Sequence, residues 1–317
     1  MKTPTIHFET RTACPACASV KFRRIYQSNY DEPPVRDYVK DMHSRIGKVE
    51  FEYLEGATYA LCECATCGMI FQRHIPNETL MERLYGHWVD PEKTFRELQE
   101  QGLGWYSCHA QEIMQIISYF RKVPSSLSFF DFGMGWGKWA LMVKAFGCDS
   151  YGTELCVKQT EYAKSNGIKI VAWDEIPQYH FDFINAEEVF EHISEPLRTL
   201  RHLKKALKTK GILKISVPTA NDIDRRLKIM DWKSPLYSKN SLLAVAPLWH
   251  INFFRRSSLV KMAQEAGMEE VFIGIRSQYR YTTDWGERKR IAKNVLLPIY
   301  RNILKRQNYV FLRSCNT

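Results

Sequence analysis

Apolar positions change their period along this chain, and the change divides it. Up to about residue 90 they fall in short alternating stretches, at 21–26, 51–53 and 58–62. A period of two predicts short strands. The run Asp31-Glu-Pro-Pro34 predicts a turn between them. From 91 to 122 the period becomes helical, with Ile113, Ile116, Ile117 and Phe120 on one face. Beyond that point strand and helix signals alternate. Strands are expected at 127–132, 150–153, 168–172, 181–185 and 212–217, and helices at 139–146, 157–165 and 196–207, the last stopped by Lys210-Gly211. This rhythm predicts an α/β fold, a Rossmann-like doubly wound and mostly parallel sheet joined by right-handed crossovers. A small β module precedes it. The expected organisation is a module over 1–90, an α/β domain over 91–280 and a tail over 281–317.

The first α/β strand runs into Asp131-Phe-Gly-Met-Gly-Trp-Gly137. Glycines at a strand-to-helix turn allow a tight bend and let backbone approach a ligand. Glu154 follows Gly133 at the end of the second expected strand, where a carboxylate can accept hydrogen bonds from ribose hydroxyls. The spacing is GxGxG, and Lys138 stands where a dinucleotide fingerprint requires its third glycine. Asp131, just before the turn, would repel a pyrophosphate and attract a cationic group.

This turn resembles motif I of the class I S-adenosylmethionine-dependent methyltransferases. The later segments Phe181-Asp-Phe-Ile-Asn-Ala-Glu-Glu-Val-Phe-Glu-His192 and Lys210-Gly-Ile-Leu-Lys-Ile-Ser-Val-Pro218 are similar to the fourth and fifth strands of that fold. The resemblance covers about 105–275. It implies S-adenosyl-L-methionine as cofactor, with Asp131, Gly133, Gly135 and Gly137 at its methionine end and Glu154 at its ribose. It also implies Asp174 near the adenine amino group, and Ala186 and Glu187 lining the same pocket.

The chain has nine cysteines, four of which form Cys14-Pro-Ala-Cys17 and Cys64-Ala-Thr-Cys67. A two-residue spacer lets both thiolates of a pair face one ion, so Cys14, Cys17, Cys64 and Cys67 are expected to hold a structural Zn²⁺ with no open position. Cys62 is an extra thiol that could compete for the site. Cys108, Cys148, Cys156 and Cys315 are scattered and read as buried or idle thiols. The segment resembles the zinc-binding module that precedes some bacterial methyltransferase domains, including certain sugar methyltransferases.

Methyl transfer needs the acceptor held and, where necessary, deprotonated. His250, in Val245-Ala-Pro-Leu-Trp-His-Ile-Asn-Phe-Phe254, and His192, after the fourth expected strand, are the candidate catalytic bases, each weighed against a packing role. Glu188 and Glu191 lie beside His192. No Asn/Asp-Pro-Pro-Tyr/Phe quartet occurs, which argues against exocyclic amino groups of bases as acceptors.

The formal charge is +10, but the stretch from Arg276 to the end holds ten Lys/Arg against two acids. The remainder is near neutral, unlike a surface built for nucleic acid. The basic segment 288–306 is read as a helix that packs on its own domain or meets a membrane surface. No apolar run reaches the roughly 20 residues of a membrane span, and the first residues have no signal-peptide core, so a cytoplasmic location is expected. The sequence points to a small-molecule methyltransferase with a sugar or cell-surface polysaccharide precursor as acceptor. The alternatives are an RNA or protein methyltransferase whose zinc module binds the macromolecule, and a non-catalytic binding protein of the same fold.

Overall fold

In a computed structural model, residues 6–219, 222–274, 292, 295–304 and 309–315 are described. In chain order the elements are β1 (Phe8–Thr10), β2 (Phe22–Asn29), α1 (Val35–Ile46), β3 (Thr58–Cys64), β4 (Ile70–Gln72), β5 (His74–Pro76), α2 (Glu78–Arg83), α3 (Pro91–Gln99) and α4 (Leu103–Phe120). They continue with β6 (Ser128–Phe132), α5 (Lys138–Ala145), β7 (Asp149–Thr153), α6 (Val157–Ser165), β8 (Lys169–Ile170), β9 (Phe181–Glu187), α7 (Pro196–Lys204) and β10 (Leu207–Ser216). Last come α8 (Ile223–Ile229), β11 (Asn252–Phe253), α9 (Arg256–Glu265), β12 (Met268–Glu270) and β13 (Tyr309–Ser314). They fall into two compact units, one of residues 1–96, 188–199 and 217–266, the other of 97–187, 200–216 and 267–317.

The second unit holds a seven-stranded sheet in the order β12-β13-β10-β9-β6-β7-β8. Strands β10, β9, β6, β7 and β8 pair in parallel, while β13 runs antiparallel to both β10 and β12. From β6 the chain adds β7 and β8 on one side and then returns to add β9 and β10 on the other. The switch therefore lies between β6 and β9, at whose carboxyl ends open sheets bind ligands. The apolar residues of β6 and β9 explain the pairing: Phe129 and Phe183 are fully buried and lie opposite each other in register. They pack with Trp139 of α5 and with Ile113 and Ile116 of α4. Each such side chain contributes about 1.5–3 kcal/mol of burial.

The first unit carries a four-stranded sheet, β11-β4-β3-β2, and a β1-β5 pair. Its core joins Tyr30, Tyr59, Leu61, Ile70 and Trp88 with Leu242, Val245, Leu248 and Phe253. Residues distant in sequence thus complete the N-terminal sheet, through β11 pairing with β4 at Asn252 and Phe253.

Three local expectations are corrected. Residues 51–53 form part of a 3-10 turn, Phe51–Leu54, not a strand, and Leu54 at its end is buried in the core of the first unit. The helical stretch 91–122 is broken at Gly102, which caps α4. The helix expected to reach 207 ends at Lys204, since Leu207 already pairs with Phe181 in the sheet. The helix α1 carries no signal in the alternating pattern. The expected basic helix at 288–306 falls partly outside the described residues. Within it Val295, Leu296, Ile303 and Leu304 are exposed.

Candidate active site and metal centre

The glycine turn leaves β6 at the sheet's switch point and enters α5. Gly135 and Gly137 have φ of 53° and 71°, a left-handed backbone that side chains resist. At Gly137 a Cβ would also come within 3.2 Å of the Ala163 side chain. Gly133 and Met134 donate their N–H groups to the Thr153 carbonyl at the end of β7, and Gly135 N–H donates to Glu154 Oε2 at 3.0 Å. The other carboxylate oxygen of Glu154 accepts from Leu155 N at 2.7 Å and Cys156 N at 3.1 Å. Three of about four acceptor positions on Glu154 are thus taken by backbone. The residue pins the turn to the second strand.

Asp131 ends buried on β6, 3% exposed, with Oδ1 accepting from Asn185 Nδ2 at 2.8 Å. Burial pushes its carboxyl up to about 7, against the opposing pull of that hydrogen bond. The Asn185 side-chain oxygen has no partner. Glu187, at the end of β9, lies 3.2 Å from Lys214 Nζ and 3.5 Å from His109 Nε2. Burial alone would raise Glu187, but Lys214 and then His109 outweigh it and hold it near 2. Lys214 also meets Glu112 at 2.5 Å. Asp131, Gly133, Gly135, Gly137, Glu154 and Glu187 therefore share the second unit and border the carboxyl ends of β6, β7 and β9. Asp174 sits on the 3-10 helix Trp173–Gln178 after β8 and is exposed.

The group His109, Glu112 and Lys214 was not singled out from the sequence. Two signals were present. Lys214 is a charge inside the apolar strand Ile212-Leu-Lys-Ile215, and His109 and Glu112 are three apart on one helix, hence on one face. The His109 ring stacks on Trp105 at 3.9 Å, and its Nδ1 contacts the Trp105 carbonyl at 2.9 Å.

His192 and His250 come together in the first unit, with ring centroids 5.1 Å apart. His192 Nδ1 lies 2.7 Å from the Trp249 carbonyl, which fixes it as the N–H donor. Burial holds both imidazoles neutral, lowering His192 to about 4 and His250 to about 3. Glu191, 1% exposed, is raised by burial and by Glu188.

The four cysteines of the two CxxC pairs also converge in the first unit. Strand β2 pairs with β3 so that Phe22 faces Cys64, and this register folds the two knuckles together. Cys14 and Cys67 sulfurs are 3.6 Å apart, as are those of Cys17 and Cys64. All four lie within 4.8 Å of one another. Four thiolates at about 2.3 Å around a tetrahedral ion stand about 3.8 Å apart, so the spacing is compatible with such an ion. Gly68, with φ of 75°, closes the second knuckle. Cys62 is buried on β3 and is not part of the cluster.

A family described as a methyltransferase domain matches residues 106–271, more than half of the chain. The chain belongs to that family. It carries a methyltransferase domain of Rossmann-like fold together with a small N-terminal sheet module. No curated protein sequence matches the methyltransferase. Solved structures similar to it include PKMT2 from Rickettsia typhi, at 13% identity and a TM-score of 0.43, covering 66% of this chain and 54% of that one. The chain thus spans about half the length of that protein. It is also similar to the plantazolicin methyltransferase BamL, solved with a triazolic desmethylPZN analog and SAH, at 14% identity and a TM-score of 0.47, covering 74% of this chain and 92% of that one. A third is the magnesium protoporphyrin IX methyltransferase ChlM of Synechocystis PCC 6803 with bound SAH, at 14% identity and a TM-score of 0.45, covering 62% and 92%. Among the described residues no helix is long and apolar enough to cross a membrane.

Proposed function

We propose that this methyltransferase acts on a small molecule, a sugar or cell-surface polysaccharide precursor. The observation that carries the reading is the distribution of charge. With ten Lys/Arg and two acids in the last 42 residues, the rest of the chain holds only about +2 of the total +10. An RNA acceptor would require a basic face over the domains that bind it.

In this reading Asp131 and the glycine turn hold the methionine end of S-adenosylmethionine, Glu154 its ribose and Asp174 its adenine amino group, while Glu187 lines the pocket. To bind both ribose hydroxyls, Glu154 gives up one of its three backbone partners. His250 and His192 handle the acceptor's proton. As neutral imidazoles they offer a lone pair throughout the physiological range. Cys14, Cys17, Cys64 and Cys67 hold a structural Zn²⁺ in the 1–90 module, ahead of a 91–280 methyltransferase domain and a 281–317 basic tail.

The test follows labelled methyl from the cofactor into cell-extract fractions. Label is expected in nucleotide-sugar or lipid-linked saccharide fractions. Label in RNA or protein would overturn the acceptor class. Cofactor binding with label in no fraction would favour a binding protein.

A further inference from the structure

We infer that Glu191, His192 and His250 form a second metal site, for a divalent first-row transition ion. One donor atom from each lies within 4.8 Å of the others, and His192 Nε2 is 3.8 Å from Glu191 Oε1. Both Glu191 oxygens and His250 Nδ1 are buried without a well-formed hydrogen bond, with a second acid, Glu188, against the Glu191 carboxyl and the Leu243 backbone against the His250 ring. Buried polar atoms are nearly always paired, and three left so in one cluster mark a place where something else supplies the partner. The donor set selects the class of ion. Two imidazoles and one carboxylate suit zinc, iron or cobalt, and not the all-oxygen shells of calcium or magnesium.

The surroundings hold the donors in place. His192 gives its Nδ1 proton to the Trp249 carbonyl, leaving the Nε2 lone pair toward Glu191. That is how a ligating imidazole is usually fixed. The two segments that carry the ligands are tied together by Asn252. Its N–H donates to the Glu191 carbonyl at 3.0 Å, and its side-chain amide donates to the Phe190 and Ile193 carbonyls at 2.9 and 2.6 Å. Arg11 in turn donates to Asn252 Oδ1 at 2.8 Å, to the Ile251 carbonyl at 3.1 Å and to the Ser194 carbonyl at 2.7 Å. Donors on a tetrahedral ion with bonds of about 2.0–2.1 Å stand about 3.4 Å apart, so the side chains close by roughly an ångström on binding. Three protein ligands leave one coordination position open.

The inference deepens the acceptor role given to the two histidines and rests on it only in part. With their lone pairs on the ion, the two histidines would handle the acceptor's proton through it, since a group held at the open position loses a proton more readily. The metal count tests the site, and turnover tests the acceptor role, so the two fail separately. The full-length protein is produced in cobalt-supplemented medium and analysed for metal per chain and for its absorption spectrum. Two cobalt per chain are expected, one with thiolate charge-transfer bands and one without. Glu191→Gln and His250→Ala should each drop to one while keeping the thiolate bands, which also report that the first unit is folded. Cys14→Ser should lose the thiolate bands and keep the other ion. Cobalt bound only with thiolate bands, or a count unchanged in both Glu191→Gln and His250→Ala, would overturn the site.

Discussion

Replacing Asp131 by Asn should stabilise the protein increasingly as pH rises. The carboxyl is 3% exposed, and its one neutral partner, Asn185, cannot repay the cost of ionising it. Its folded value near 7 stands above the ordinary 3.8. The folded state therefore binds more protons than the unfolded chain between those values. Stability falls as pH rises through that window, and the loss is complete above about 7. A shift of that size corresponds to about 4 kcal/mol, of which about 2–3 kcal/mol accumulates between pH 5 and pH 8. An asparagine does not ionise. It keeps the oxygen that accepts from Asn185, and its amide adds a donor for the unpartnered Asn185 oxygen. Denaturant unfolding of both proteins at pH 5 and pH 8 measures the effect. The stability of the variant relative to wild type should rise by about 2–3 kcal/mol between the two values. A difference that stays constant with pH would refute the buried, proton-holding carboxyl. The same residue links stability to ligand. If its carboxylate meets the cationic methionine end, cofactor affinity in the wild type should strengthen toward pH 7, and the variant should lose that dependence along with affinity.

The parts of this molecule that follow local rules were legible, and those built by distant segments were not. The parallel strands announced themselves because a strand buried on both faces must be apolar along its length, as Phe129, Phe130 and Phe183 are. The glycine turn was legible because the left-handed backbone at 135 and 137 strongly favours glycine. The pairing of the two CxxC motifs followed from ligand chemistry alone, since no local pattern spans the residues between them. What period and spacing miss is partnership across the chain. Nothing near Ile70 foretells that Phe253 pairs beside it, because β11 is two residues long and its signal is lost in the apolar run before it. Glu191 stood in the sequence only as an acid beside His192, yet it is a buried carboxyl beside two histidines, and that neighbourhood exists only once Asn252 ties 190–193 to 250–252. Lys214 was passed over for a related reason. Its partners Glu112 and Glu187 come from a helix and a strand that flank its own strand in space.

The remaining predictions concern the proposed cofactor, metal and acceptor residues. Glu154→Ala should weaken S-adenosylmethionine binding in calorimetry by about 1.5–3 kcal/mol, the worth of one charge-assisted hydrogen bond, because ribose binding must first displace a backbone partner. Unchanged affinity would remove Glu154 from the ribose. Cys14→Ser or Cys67→Ser should lose the thiolate-bound zinc by elemental analysis and lower the stability of the first unit while the seven-stranded unit stays folded, since metal binding and folding are coupled in such modules. A metal-free protein with that unit intact would refute this. His250→Ala should separate chemistry from binding. The reading gives His250, beside His192, to the acceptor and gives the cofactor to other residues. Its loss should therefore leave the cofactor's Kd unchanged. Turnover should fall by about 10²–10⁴-fold, the usual worth of proton handling at an acceptor. A weakened Kd with intact turnover at saturating cofactor would reverse the assignment. A variant that unfolds would return His250 to a packing role, and turnover that survives in a folded variant would pass the acceptor to His192.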